Sequence, residues 1–213
     1  MAKLATTLPT ETWITLPWEK YLEAIENPIF QNSKSYYYRG SIRIEMLPVS
    51  FDHGKSHVII AAAIAIFTAF KRIPGNGLDT TSFRKIGIGE CQPDLAYYLE
   101  NQAQVIPNGT GVVNLDQYPA PDLVIEIAKS SLLDDLGIKR SLYEELGVKE
   151  YWIIDVNTTE IIAYTILKEG LGSQQIRQSQ VLTGLNLSLL EEALRRNRET
   201  NQSAVLALLM NQF

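Results

Sequence analysis

The run LVIEIA, Leu123 to Ala128, restricts what this chain can become more than any other stretch. It is β-branched and apolar except for Glu126, the pattern of a central strand covered on both faces. The segment that follows, LLDDLGIKRSLYEELG, is amphipathic, with Ser130 or Ser131 placed to cap it and Gly147 to close it, and so predicts a helix. EYWIIDV then predicts a second strand. Strand, helix and strand from Leu123 to Val156 imply a parallel pair joined by a right-handed crossover.

Upstream, PWEKYLEAIENP predicts a first helix between two prolines, and YYYRGSIRIEML a hairpin that turns at Arg39-Gly40. VSFDHG predicts a loop leading into an apolar helix from about Lys55 to Lys71, which stops before the breaker IPGNG. Short strands are expected around Thr80 to Ile88 and, after Pro93, around Asp94 to Leu99. The segment Glu100 to Ala120 predicts a loop with one short strand over Gly111 to Leu115. EIIAYTIL pairs with EYWIIDV through a turn at Asn157 to Thr159. The order predicts an α/β (α+β) fold, a mixed sheet flanked by helices. A domain is expected over residues 1–186, followed by a C-terminal helical extension over 187–213 that packs on the domain or on a dimer partner.

Composition narrows the function. A hydrophobic content of 46% with 20% charged residues is ordinary for a globular chain of 213 residues and gives no sign of disorder. A net charge of -5 argues against gripping nucleic acid by bulk electrostatics, though it allows a local basic patch. Cys91 is the sole cysteine, which rules out an intramolecular disulfide and fits a reducing cytoplasm. Met1 to Thr12 carries one lysine and no continuous apolar run, unlike a secretory signal. The 13-residue run VIIAAAIAIFTAF is shorter than the roughly 20 residues a membrane crossing takes, so it predicts a buried helix and no membrane association.

Glu126 sits among Val124, Ile125 and Ile127, and a carboxylate in such a strand needs a cationic partner inside the fold or a metal ion. Asp94 opens the strand PDLAYYL, where an Asp after Pro93 is either a second strand carboxylate or ordinary turn chemistry. Two strand carboxylates converging at a sheet edge make a hard-oxygen site suited to Mg²⁺ or Mn²⁺. Such an ion acidifies a bound water and neutralises charge on a phosphate oxygen, the chemistry of phosphodiester cleavage. A nuclease of this kind also wants a lysine two residues after the second acid, where Ala128 stands. Strand parity turns Lys129 to the opposite face from Glu126. Lys139 is the alternative: with Asp135 and Tyr143 it forms a stripe on the next helix, either aimed at the carboxylates or making a solvated pair with Asp135.

GSIRIEM, FDHG, QPDLAYY and the long run from Pro121 to Asp155, in this order and spacing, resemble the Uma family of "putative restriction endonucleases", over roughly Pro17 to Leu190. The resemblance implies the restriction endonuclease-like fold of the PD-(D/E)XK nuclease superfamily. It implies that Asp94 and Glu126 are the motif acids, that Lys139 is the lysine moved to the following helix, and that Glu45 is a further metal ligand. AKSS only approximates the family's Ser-Pro after the second acid, which leaves the end of that strand open.

Other residues carry weaker signals. His53 and His57 lie four apart without a third soft ligand, so a loop histidine lining the cleft and a helix-surface histidine are expected in place of a zinc site. Arg84 and Lys85 are candidate phosphate contacts or equally surface charges, Asp122 a second acid near the cleft or a strand cap, and Asp155 a turn former. Trp152 and Tyr151 are expected in the core. Two functions follow: a Mg²⁺- or Mn²⁺-dependent DNA endonuclease acting as a homodimer, or a nuclease-like fold kept as a nucleic-acid-binding or assembly module.

Overall fold

In the computed structural model of the chain, which describes residues 8–47, 49–167 and 171–213, Arg39 and Gly40 both adopt positive φ, 47° and 83°. Two successive left-handed residues are what a tight two-residue hairpin needs. They join β2 (Ser33–Tyr38) to β3 (Ser41–Met46) in a register that sets Lys34 opposite Glu45 and Tyr36 opposite Arg43. The hairpin belongs to a six-stranded sheet with β1 (Ile14–Thr15), β5 (Phe83–Lys85), β6 (Gly89–Cys91) and β8 (Val113–Asn114), in the order β1-β3-β2-β6-β5-β8. One face of the hairpin, Tyr37, Ile42 and Ile44, buries against Phe30 and against Tyr21 of α1 (Trp18–Ile25).

A second six-stranded sheet runs β12-β11-β10-β9-β7-β4. Its strands are β4 (Gly75–Asp79), β7 (Leu95–Leu99), β9 (Leu123–Ala128), β10 (Glu150–Asp155), β11 (Ile161–Ile166) and β12 (Ser173–Ile176). The expected mixed architecture is present, but as two mixed sheets where one was expected, because the hairpin faces build a core of their own. β9 and β10 pair in parallel, with Glu126 opposite Ile153. The chain between them coils as α3 (Leu132–Asp134), a π-helical turn over Asp135–Lys139, and α4 (Arg140–Leu146), closed by Gly147 at φ 88°.

Alternation along β9 decides where the charge goes. Leu123, Ile125 and Ile127 join the apolar core formed by Ile59, Ile60, Ile64 and Phe67 of α2 (Phe51–Lys71) and Leu190 and Leu194 of α5 (Leu187–Glu199). Val124 and Ala128 face Tyr36, Tyr143 and Tyr151, and Glu126 shares their side. Val205 and Leu209 of α6 (Gln202–Met210) lie in the α2 core, so both C-terminal helices pack on the fold's main core.

Three local expectations are corrected. FDHG is the first turn of α2, because the Ser50 hydroxyl accepts the His53 N–H and caps the helix earlier. The breaker read in IPGNG, Ile73 to Gly77, instead enters β4 (Gly75–Asp79) against β7, where the Tyr97 ring fills the space that a Cβ on Gly77 would take. At 21 residues α2 is long and apolar enough to cross a membrane by length and composition, whereas its apolar run was expected to be too short; here its Ile59, Ile60, Ile64 and Phe67 face lies on the core. The N-terminal stretch read as unlike a secretory signal lies outside the described residues up to Thr7.

Two glycines respond oppositely to the same change. A Cβ on Gly89 would collide with the Tyr37 carbonyl oxygen and approach Leu142 Cδ1 to 2.8 Å, whereas one on Gly54, inside α2, meets nothing within 4 Å. Gly89→Ala should lower the unfolding free energy by about 2 kcal/mol. Gly54→Ala should raise it by about 0.5 to 1 kcal/mol. Urea denaturation of both variants measures the pair.

Candidate active site

β7 and β9 run antiparallel with Leu95 opposite Ile125. Carried one residue further, that register sets Asp94 opposite Glu126 with both side chains on one face. The Ile127 N–H donates to Asp94 Oδ2 at 2.7 Å and fixes the carboxylate at the mouth of β7. Tyr143 and Tyr36 hydroxyls donate to Glu126 Oε1 at 2.6 and 3.0 Å, and Tyr36 also reaches the Gln92 carbonyl at 2.9 Å. Asp94 and Glu126 are therefore adjacent, buried and held by named donors.

The β2–β3 hairpin brings its polar face to these acids. Lys34 Nζ stands 2.9 Å from Asp94 Oδ1, 3.6 Å from Glu126 Oε2 and 3.7 Å from Glu45 Oε2. The sequence reading did not single out Lys34, although the turn at Arg39-Gly40 fixes the register that pairs it with Glu45. Arg43, on the same face, holds Glu45 through Nε at 2.8 Å and reaches Asp134 at 3.1 Å.

Lys139 comes from the π-helical turn. Its ammonium lies 2.8 Å from Glu45 Oε1, 3.0 Å from Asp135 Oδ1 and 3.8 Å from Glu126 Oε1, and 4.0 Å from the centroid of the Tyr36 ring. The pair with Asp135 is buried, not solvated. An α-helix was expected through this segment; single π turns are frequent at functional sites, and this one carries both buried charges of the helix.

The electrostatics follow from burial and counter-charge. Burial pulls the Lys139 ammonium toward neutrality, but Glu126, Asp135 and Glu45 reverse this and hold its pKa well above the ordinary value. Lys34 is likewise raised, burial being outweighed by Glu126 and Asp94. Burial raises the Glu45 carboxyl, yet Lys139 and Lys34 overcome it and bring the pKa down to about 2. For Asp94, Lys34, His53 and the Ile127 N–H overcome burial and place it well below the usual carboxylate range. Glu126 goes the other way, pushed up to about 7 by burial against the pull of Lys139 and Lys34.

These groups line a cavity of about 350 Å³ with Lys34, Glu45, Asp94, Glu126 and Lys139 in its wall. His53 lines it too, from α2 and not from a loop, with Nε2 3.3 Å from Asp94 Oδ1. His57 sits one turn on, 3.2 Å from the Asp94 carbonyl oxygen. Lys129 lies on the rim, paired with Asp52 at 2.6 Å. Two expected cleft residues lie elsewhere. Asp122 is at the opposite end of β9, accepting the Leu99 N–H at 2.7 Å and pairing with Lys149 at 2.5 Å, which makes it a tie between strands. Arg84 pairs with Glu90 at 2.5 Å and stacks over Trp18, outside the cavity wall. Asp155 does form its turn, accepting the Asn157 N–H at 2.8 Å, and Tyr151 and Trp152 are in the core.

Among the described residues, no three Asp, Glu, His or Cys side chains are already drawn into a metal cage. The carboxylates of Asp94, Glu126 and Glu45 converge on the Lys34 ammonium. Their chemistry still fits a hard divalent cation: the donors are all carboxylate oxygens, and they surround a point where positive charge is already stabilised.

A mixed α+β fold that gathers acids and lysines at the open end of adjacent strands is nuclease-like. The chain belongs to the Uma2 family, described as "putative restriction endonuclease", which it matches over residues 18–205. Its fold is similar to the crystal structure of "a putative nuclease belonging to DUF820 from Anabaena variabilis ATCC 29413" at 1.96 Å resolution. The two share 17% sequence identity and a TM-score of 0.58, over 85% of this chain and 99% of that one. No curated protein matches the chain.

The Glu45 pKa carries a stability signature. Because the folded carboxyl is lowered from 4.5 to about 2, its ionisation stabilises the fold fully above pH 4.5, and that contribution is lost as pH falls toward 2. Thermal melts across this window should drop more steeply for the wild type than for Glu45→Gln. Equal slopes for the two proteins would contradict the assignment.

Proposed function

We propose that this protein is a Mg²⁺- or Mn²⁺-dependent DNA endonuclease that works as a cytoplasmic homodimer. The observation that carries the reading is the Lys139 ammonium, anchored by Glu45 and Asp135 and standing beside the Glu126 carboxylate in the cavity wall. Asp94 and Glu126, with Glu45, would hold the cation. When bound, the cation supplies an acidified water and neutralises charge on the phosphate. Glu126, Asp135 and Glu45 outweigh burial and hold the Lys139 pKa above its ordinary value, which suits the ammonium to donating hydrogen bonds. In that role it orients the attacking water and stabilises the extra negative charge of the phosphorane-like transition state. Tyr36 and Tyr143 keep Glu126 turned toward the cavity, and His53 steadies Asp94 from the rim. Cutting both strands of a duplex takes two such sites, which a homodimer provides.

A second reading, a nuclease-like fold kept as a nucleic-acid-binding or assembly module, is favoured by the Lys34 ammonium at the convergence of the acids and by the net charge of -5. Plasmid cleavage with Mg²⁺ or Mn²⁺ separates the two. The wild type should cut, and Asp94→Ala, Glu126→Ala and Lys139→Ala should each lose about 100-fold or more in rate. Absence of metal-dependent cleavage of duplex DNA, single-stranded DNA and RNA by folded wild-type protein would leave only the module.

A further inference from the structure

Lys34 and Lys139 enter the same acidic cluster in different ways. Lys139 has an anchor of its own in Asp135 and lies closer than Lys34 to the Tyr36 ring, 4.0 against 5.8 Å, so a cation arriving at Asp94 and Glu126 leaves it in place. Lys34 has ion pairs, among the described residues, only with Asp94, Glu126 and Glu45, the three acids assigned to the metal. Its ammonium is nearly equidistant from Glu45 and Glu126 at 3.7 and 3.6 Å and hydrogen-bonded to Asp94 at 2.9 Å. A divalent ion bound to the same oxygens at about 2.1 Å would take that position itself. Two cations cannot share it, since their repulsion is barely screened in a buried site.

We infer that Lys34 is a resident counter-cation occupying the metal's seat, and that metal binding is an exchange in which the Lys34 ammonium leaves the three carboxylates for the adjoining cavity. The inference rests on the metal-dependent reading of the site. Lys34 lines the cavity of about 350 Å³ and sits on a flexible four-carbon stem, so room and reach for the exchange are both present. The resident ammonium also explains how the metal-free protein tolerates three buried or half-buried carboxylates: Lys34, with Lys139 beside Glu45 and Glu126, offsets their mutual repulsion. Metal affinity is then set by the difference between two cations competing for one seat, and is weaker than the three carboxylates alone would give.

Two measurements test this. Acetylation of lysines in the folded wild-type protein, mapped by peptide mass spectrometry, should find Lys34 protected in EDTA and about tenfold more reactive with saturating Mg²⁺ or Mn²⁺. Calorimetric titration with Mn²⁺ should show Lys34→Met binding the ion about tenfold more tightly than the wild type. Lys129→Met, which removes a rim charge without touching the seat, should change affinity less than about threefold. If the wild type binds Mn²⁺ but Lys34 labelling does not rise, the exchange is overturned while the metal-dependent reading stands. Equal Mn²⁺ affinity in Lys34→Met and the wild type overturns it in the same way. If neither protein takes up Mg²⁺ or Mn²⁺, the exchange and the metal-dependent reading fall together.

Discussion

Everything around the cavity answers to one requirement: Glu126 is a carboxylate in the middle of a buried strand, and its charge must be met from outside that strand. The counter-charge comes from two directions, Lys34 of the β2–β3 hairpin and Lys139 of the π-helical turn, with hydrogen bonds from Tyr36 and Tyr143. Asp94, Glu45 and Asp135 add negative charge that the same two lysines also hold. Removing one member of a buried ion pair costs about 3 to 5 kcal/mol, because the partner is left uncompensated. The two sheets and the crossover helix are thus fastened by charge as well as by the apolar cores on either side of β9.

Part of this was readable from the sequence, for physical reasons. β-branched residues around Glu126 marked a buried strand; parity along it turned Lys129 to the opposite face, yet Lys129 reaches the rim of the same cavity, paired there with Asp52. Helical spacing pointed to Lys139, and the register of β7 against β9 brings Asp94 to Glu126 as two adjacent strands require. Lys34 was missed because a lysine in a hairpin is ordinarily a surface residue; only the cross-strand pairing with Glu45, then carried onto the β9 acids, reveals it. The π turn was invisible because its residues are compatible with an ordinary α-helix, and one extra residue in the turn is decided by where Asp135 and Lys139 find their partners. Asp122 and Arg84 were drawn toward the cleft by residue type alone. Their local partners, Lys149 and Glu90, hold them elsewhere.

The fold was legible in class but not in layering. The parallel β9–β10 pair follows from strand, helix and strand in sequence. That the early strands would form a sheet of their own depends on the aromatic residues of α1 and β2, which bury Tyr21 and Tyr37 on the far side of the hairpin from Lys34. The 17% identity with a solved structure of similar fold fits this picture, since a core of this kind depends on alternation and volume more than on particular side chains.

The turn at Arg39 and Gly40 has a reach beyond its two residues. It sets which residues of the hairpin point at β9: Lys34, Tyr36, Arg43 and Glu45 on one side, Tyr37, Ile42 and Ile44 on the other. A strand shifted by one residue presents its opposite face. A single residue inserted into this turn would shift β3 against β2 and turn Ile42 and Ile44 toward the cavity in place of Arg43 and Glu45, so half of the hairpin's polar face is encoded in the length of a loop that never touches it.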